Sequence, residues 1–121
     1  MEIKTTVVNG KIIASVKGEG KLLRDVSSAL DLMADVRYTA DCDRVALPKS
    51  SVADEFFVLS TKLAGDILQK FINYQMKLAI YGDFSAYTSK PLRDFIYESN
   101  NGRDIFFVLT EEEAIKRLAE S

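Results

Sequence analysis

The spacing of apolar residues changes period several times along this chain, and each change marks an element. Two strand-like stretches, residues 2–8 and 11–16, flank Asn9-Gly10, a dipeptide suited to a two-residue hairpin turn. Pairing about that turn sets Val7 opposite Ile12, Thr5 opposite Ala14 and Ile3 opposite Val16. One face of the hairpin is then mostly apolar and is expected to lie over helices, with Lys4, Thr6 and Ser15 on the other face. The first strand is expected at a sheet edge. From Asp25, a helix cap, to about Tyr38 the period becomes helical, with Val26, Ala29, Leu30 and Met33 as its stripe. Arg37 stands at the trailing end, where a cation suits the helix dipole. Arg44-Val45-Ala46-Leu47 reads as a third strand, stopped by Pro48.

The stretch from Ser60 to Leu109 decides the fold class. Leu63, Ala64, Ile67, Leu68, Phe71 and Ile72 recur at helical steps, while Lys62, Asp66, Gln69, Lys70 and Asn73 form a wet face. Leu78-Ala79-Ile80-Tyr81 and Ile105-Phe106-Phe107-Val108-Leu109 are short runs apolar on both sides. Strands of that kind need cover on both faces, the habit of parallel sheets. Leu92, Phe95 and Ile96 mark a right-handed crossover helix between them, stopped at Asn100-Asn101-Gly102. Thr110 before three glutamates opens a last helix, docked by Ala114, Ile115 and Leu118. Residues 51–59 fit neither period. Ser51 with Asp54 is read as the cap of a short helical turn, with Phe56-Phe57 plugging the core beneath it. The predicted fold is α/β, in the order ββαβαβαβα. It has a single mixed, mostly parallel sheet, an N-terminal hairpin and crossover helices, in one domain over residues 1–121.

Composition narrows the chemistry. Nearly half of the 121 residues are apolar and only two are proline, so a folded core is expected. The N-terminus, with Glu2 and no long apolar run, does not read as a signal peptide, and no run approaches the roughly 20 residues that span a bilayer. A single cysteine, Cys42, fits a reducing cytoplasm. A net charge of −2 argues against nucleic-acid and anionic-membrane partners. There is no histidine, which removes the commonest general base and transition-metal ligand and excludes Ser-His-Asp and Cys-His arrangements. No metal site, cofactor or catalytic constellation is expected. Cys42 lies between Asp41 and Asp43, whose charges disfavour a thiolate. Gly18-Glu19-Gly20-Lys21 lacks the first glycine and the final Ser or Thr of a phosphate loop, and reads as a connection.

In open α/β sheets ligands gather where parallel strands end. The loops leaving that edge begin at Pro48, Gly82 and Thr110, and each is expected to end in a Ser or Thr helix cap. Two site readings follow. In one, Ser85, Ser89, Lys90 and Arg93 hold a small anion or a nucleotide phosphate over the loop 82–90. In the other, Tyr97, Tyr87 and Phe84 beside Arg93 and Asn100 form a protein interface, where such residues are enriched. Ser60 or Thr61 is a candidate for modification at the start of the second main helix, where the dipole and Lys62 would accept a phosphate; the plainer reading is a helix cap.

Two resemblances add to this. The run LAGDILQKFINYQMKLAIYGDFSAYTSKPLRDFIYESNNG, from Leu63 to Gly102, resembles a bacterial family of domains of unknown function, numbered forty-one eighty. The flanking ALDLMADVRY and FFVLTEEEA agree with it. That family implies no activity. The element order is similar to that of STAS domains, the modules of sulfate transporters and anti-sigma-factor antagonists. Their Asp-Ser-Ser/Thr-Gly-Leu run, phosphorylated on serine in sporulation regulators, corresponds here to Leu59-Ser60-Thr61-Lys62-Leu63, with Leu59 for the aspartate and Lys62 for the glycine. The STAS resemblance implies a non-catalytic regulatory module in the cytoplasm that binds a protein partner or itself. Binding of a small anion or nucleotide is the alternative.

Overall fold

The computed structural model describes the whole chain, Met1–Ser121. Glu2–Val8 (β1) and Lys11–Lys17 (β2) pair antiparallel in the expected register, with Val7 opposite Ile12, Thr5 opposite Ala14 and Ile3 opposite Val16. Asn9 and Gly10 both take positive φ, 54° and 76°, as a type I′ turn requires. There follow α1 (Val26–Ala40), β3 (Arg44–Pro48), α2 (Leu63–Asn73), β4 (Lys77–Tyr81), α3 (Lys90–Asn100), β5 (Ile105–Val108) and α4 (Glu111–Glu120). Asp25 caps α1 by accepting the Ser28 N–H at 2.7 Å, and the Ser28 hydroxyl returns a bond to the cap main chain.

The sheet order is β1-β2-β3-β4-β5, parallel from β2 onward. Because each strand lies beside its predecessor and the crossovers share one hand, α1, α2 and α3 fall on the same face. There Val16, Val45, Leu47, Leu78, Ile80 and Phe107 of the sheet meet Leu32, Val36, Ile67, Phe71 and Leu92 of the helices. The other face is covered by α4 alone, which packs on β2, β3, β4 and β5. Small residues at the sheet centre, Ala46 and Ala79, meet Ala114, Leu118 and Ala119 there. The last turn of α4 is held by Arg44, whose Nε donates to the Leu118 carbonyl at 2.8 Å and whose Nη2 donates to the Ser121 main-chain oxygen at 3.0 Å. No helix is long and apolar enough to cross a membrane.

Two local expectations are corrected. The apolar hairpin face is covered only in part: Ala14 and Val16 are buried, but Val7 is 68% exposed and Ile12 is also exposed. The register is the expected one, but the apolar side chains nearest the turn, Val7 and Ile12, are left uncovered. Residues 49–61 form three successive 3-10 turns, Lys49–Ser51, Asp54–Phe57 and Leu59–Thr61. Ser51 does not cap the middle one, which starts after Ala53 without a side-chain cap. Phe56 and Phe57 are buried in the core as expected. Such turns repeat about every three residues, which neither the helix nor the strand pattern detects.

Candidate functional site

The exits of β3, β4 and β5 lie side by side, and the loops leaving them build one rim. Gly82 starts the loop after β4. Its N–H donates to the Val108 carbonyl at 2.9 Å, and a Cβ there would stand 2.7 Å from the Lys49 Cβ, so only glycine lets the two loops approach this closely. Asp83 then accepts the Ser85 N–H at 2.8 Å. Hydrogen bonds from the Ser85 side chain and backbone hold the Asp83 carboxyl below its ordinary range. Phe84 and Tyr87 fold inward onto Phe57, with ring centroids 5.8 and 5.1 Å away, and Phe107 lies 5.7 Å from Phe84. Lys49 closes the stack from above: its Nζ is 4.7 Å from the Tyr87 ring centre and donates to the Asp83 carbonyl at 3.0 Å. The loop is therefore anchored by aromatic packing.

Tyr87 and Thr88 separate two grooves. The first, of about 750 Å³, is walled by Phe57, Val58, Leu59, Pro91 and Leu92, with Ser60 and Ser89 on its lining. The second, of about 530 Å³, is lined by Phe84, Ser85, Arg93, Ile96, Tyr97 and Asn100. Ser60, Ser85, Ser89, Arg93 and Tyr97 all line one or other of these grooves. Lys90 lines neither groove and is paired with Asp94 at 2.6 Å; that hydrogen bond raises its pKa. Ser89 caps α3, its Oγ accepting the Leu92 N–H at 3.5 Å. Arg93 makes no ion pair in the structure.

The expected caps hold for Ser89 and Thr110 but not elsewhere on the rim. Neither Ser60 nor Thr61 is the cap residue of α2. That place belongs to Lys62, in the left-handed conformation (φ 65°, ψ 5°) and without a side-chain cap bond. The Thr61 hydroxyl faces the Glu55 and Val58 carbonyls at 2.9 and 2.8 Å and takes the Leu63 N–H at 3.2 Å. It is turned into the backbone, whereas Ser60 is exposed on the first groove.

A family model described as a domain of unknown function (DUF4180) matches residues 8–118. The chain belongs to that family. No curated protein and no solved structure matches it. Within this DUF4180 domain the matched region runs from the end of β1 through the last turns of α4, so it includes both grooves.

Two constellations escaped the sequence reading. One is the pairing of the Asn100 amide with the Phe107 main chain, taken up below. The other lies where β2 and β4 meet the start of α4. Glu111 accepts a hydrogen bond from the Ser15 hydroxyl, stands 3.4 Å from the Tyr81 hydroxyl and pairs with Lys17 at 3.5 Å. Ser15 is only 8% exposed, and this network ties three elements together. The Ser15 hydrogen bond lowers the Glu111 pKa against the opposing effect of burial, while burial and the Glu111 charge push Tyr81 up to about 12. The signs fix a pH dependence. The depressed Glu111 contributes stability above its unfolded value of 4.5 that is lost as pH falls through its folded value. The raised Tyr81 contributes stability below 10.0 that is lost as pH rises toward about 12. Glu111→Gln is expected to flatten the acid limb of a urea-denaturation pH series and to bring the Tyr81 ultraviolet titration back toward 10.0. An unchanged acid limb would show that the Ser15 bond contributes nothing in solution.

Cys42 is buried, with Sγ 3.0 Å from the Ile12 carbonyl and 3.1 Å from that of Arg44. Burial raises its pKa, so the thiol is held protonated. No group of three or more His, Cys, Asp or Glu side chains converges to hold a metal ion.

Proposed function

We propose that this domain is a non-catalytic protein-interaction module of STAS-like architecture, working in the cytoplasm. In this reading the grooves either side of Tyr87 receive an apolar segment of a partner protein. The observation that carries the proposal is the pair of grooves itself: apolar walls on an anchored aromatic floor, with Val58 and Tyr97 left 51% and 69% exposed at their margins. Aromatic and Arg side chains in this setting are common interface anchors. The partner segment would carry an acidic residue for Arg93. Ser60 opens on the first groove beside Lys62, so phosphorylation would add about −1.5 to −2 charges to that wall and oppose an apolar ligand. A small-anion reading is supported by fewer groups, since Lys90 is taken by Asp94 and Lys49 by the Asp83 carbonyl, which leaves Arg93 at the second groove and Lys62 beside the first.

Selection of peptides from a displayed library against the folded domain tests this. Selected peptides are expected to bind at least about tenfold more weakly, or roughly 1.4 kcal/mol, to Val58→Glu and Tyr97→Ala. Lys90→Ala is expected to leave binding unchanged. Peptides indifferent to both groove variants would place recognition elsewhere. A thermal shift with inorganic phosphate that Arg93→Ala abolishes would favour the anion reading instead.

A further inference from the structure

The sheet has two edges, and the chain treats them differently. On β5 the side-chain amide of Asn100 imitates a neighbouring strand: its Oδ1 accepts the Phe107 N–H at 2.7 Å and its Nδ2 donates to the Phe107 carbonyl at 3.0 Å. On β1 there is no such cover. Its only strand neighbour is β2, and no other backbone group hydrogen-bonds to it. It is also exposed along most of its length, with Ile3 and Val8 only half-buried. An uncovered seven-residue edge of this kind is a template for strand pairing.

The turn fixes which groups point outward. In a two-residue hairpin the residues flanking the turn, here Val8 and Lys11, exchange hydrogen bonds, and the pattern then alternates. Thr6, Lys4 and Glu2 therefore bond to β2. Ile3, Thr5 and Val7 direct their N–H and C=O groups away from it. We propose that two copies of the chain join through β1, antiparallel about a two-fold axis at Thr5, into one continuous sheet. The strand is self-complementary in that register. Thr5 meets its own copy, and Ile3 meets Val7 of the partner subunit, a β-branched pair that covers the exposed Val7. Lys4 meets Thr6 of the partner subunit, so no like charges oppose. A two-residue slip centred on Lys4 would set that lysine against itself and lose pairs at the strand end. An isologous contact of this sort closes as a dimer. It lies on β1, away from the grooves at the exits of β3–β5, and does not depend on the function proposed for them.

Sedimentation equilibrium over a dilution series tests the proposal. The expected mass is twice the 13.5 kDa of the chain. Thr5→Pro removes an N–H that β2 does not use and is expected to give a monomer with native circular dichroism. Thr5→Cys is expected to form an intermolecular disulfide on oxidation, because the paired Cα atoms would be about 5.5 Å apart. Glu2→Cys, facing Val8 of the partner subunit, is expected to form none. If Thr5→Pro fails to fold, the two cysteine variants decide the register. A wild-type chain that stays monomeric at every concentration overturns the proposal. So does a dimer in which Thr5→Cys fails to cross-link, or a monomer that instead binds an added strand peptide along β1.

Discussion

Phe107→Ala is expected to lower the unfolding free energy by about 3–5 kcal/mol, the usual range for removing a buried phenylalanine. The site favours the upper part of that range. Phe107 is 4% exposed, and its ring centre lies 6.4 Å from Phe56, 6.4 Å from Phe57, 5.7 Å from Phe84 and 5.9 Å from Phe95. These rings come from β5, the 3-10 segment, the loop after β4 and α3, so no single element can move to fill the void. A domain of this size has only about 5–15 kcal/mol in total. The variant is therefore expected to be partly unfolded at moderate temperature, with a urea midpoint well below wild type and an unchanged slope. Phe107→Leu keeps most of the volume and is expected to lose only about 1.5 kcal/mol. A loss under about 1.5 kcal/mol for alanine would mean that the cluster collapses around the gap. Phe107 also connects stability to the proposed function. It supports Phe84 and, through Phe57, the ring of Tyr87, and these form the floor between the two grooves. Phe107→Leu is expected to weaken peptide binding more than its stability loss alone would suggest.

The features that were legible in the sequence share one property: their cause is local. Asn9-Gly10 requires positive φ at two successive positions, so turn type, hairpin register and strand partners follow together. The apolar runs at 78–81 and 105–108 needed cover on both faces, which implied a parallel sheet with crossovers, whereas Leu109, read as part of the second run, lies past β5 and is exposed. Once strand direction was known, the rim was known, and Ser60, Ser85, Ser89, Arg93 and Tyr97 came together on it. What stayed hidden depends on distance in the chain for Ser15 and Glu111, and on a choice between competing local partners elsewhere. Nothing near Ser15 announces Glu111, and nothing in Lys90-Pro91-Leu92-Arg93-Asp94 says that the lysine prefers Asp94 to a ligand, although their i,i+4 spacing permitted it. The cap of α2 was misread because Ser60-Thr61 carries suitable side chains. The backbone instead enters the helix through a left-handed Lys62, a conformation that costs a non-glycine residue roughly 1 kcal/mol.

Asn100→Ala is expected to cost about 2–4 kcal/mol, far more than a half-exposed polar residue on a helix end normally does. The reason is the pair of main-chain groups it serves. Phe107 is a buried residue of the edge strand β5, and its N–H and C=O both find their outward partner in the Asn100 amide. Removing the amide leaves one donor and one acceptor unmet, at about 1–3 kcal/mol each when water cannot replace the bond fully. Asn100→Asp separates the two contributions. It retains the acceptor for the Phe107 N–H but sets a carboxylate against the Phe107 carbonyl, so it is expected to fall between wild type and alanine at neutral pH and to recover as the carboxyl is protonated in acid. The Arg117 guanidinium, which bonds to the Asn100 carbonyl, keeps the helix end in place in all three proteins, so the comparison reads the side chain alone. Alanine should also change association. With the amide gone, β5 presents open main-chain groups of the kind that β1 presents in the native chain. The variant is therefore expected to form higher oligomers by adding a second sticky edge to the first, and Thr5→Pro in the same chain should reduce them to a dimer through β5. Light scattering on the single and double variants reads this directly. An Asn100→Ala protein that is destabilised yet no more associated than wild type would show that α3 still shields the strand after the hydrogen bonds are lost.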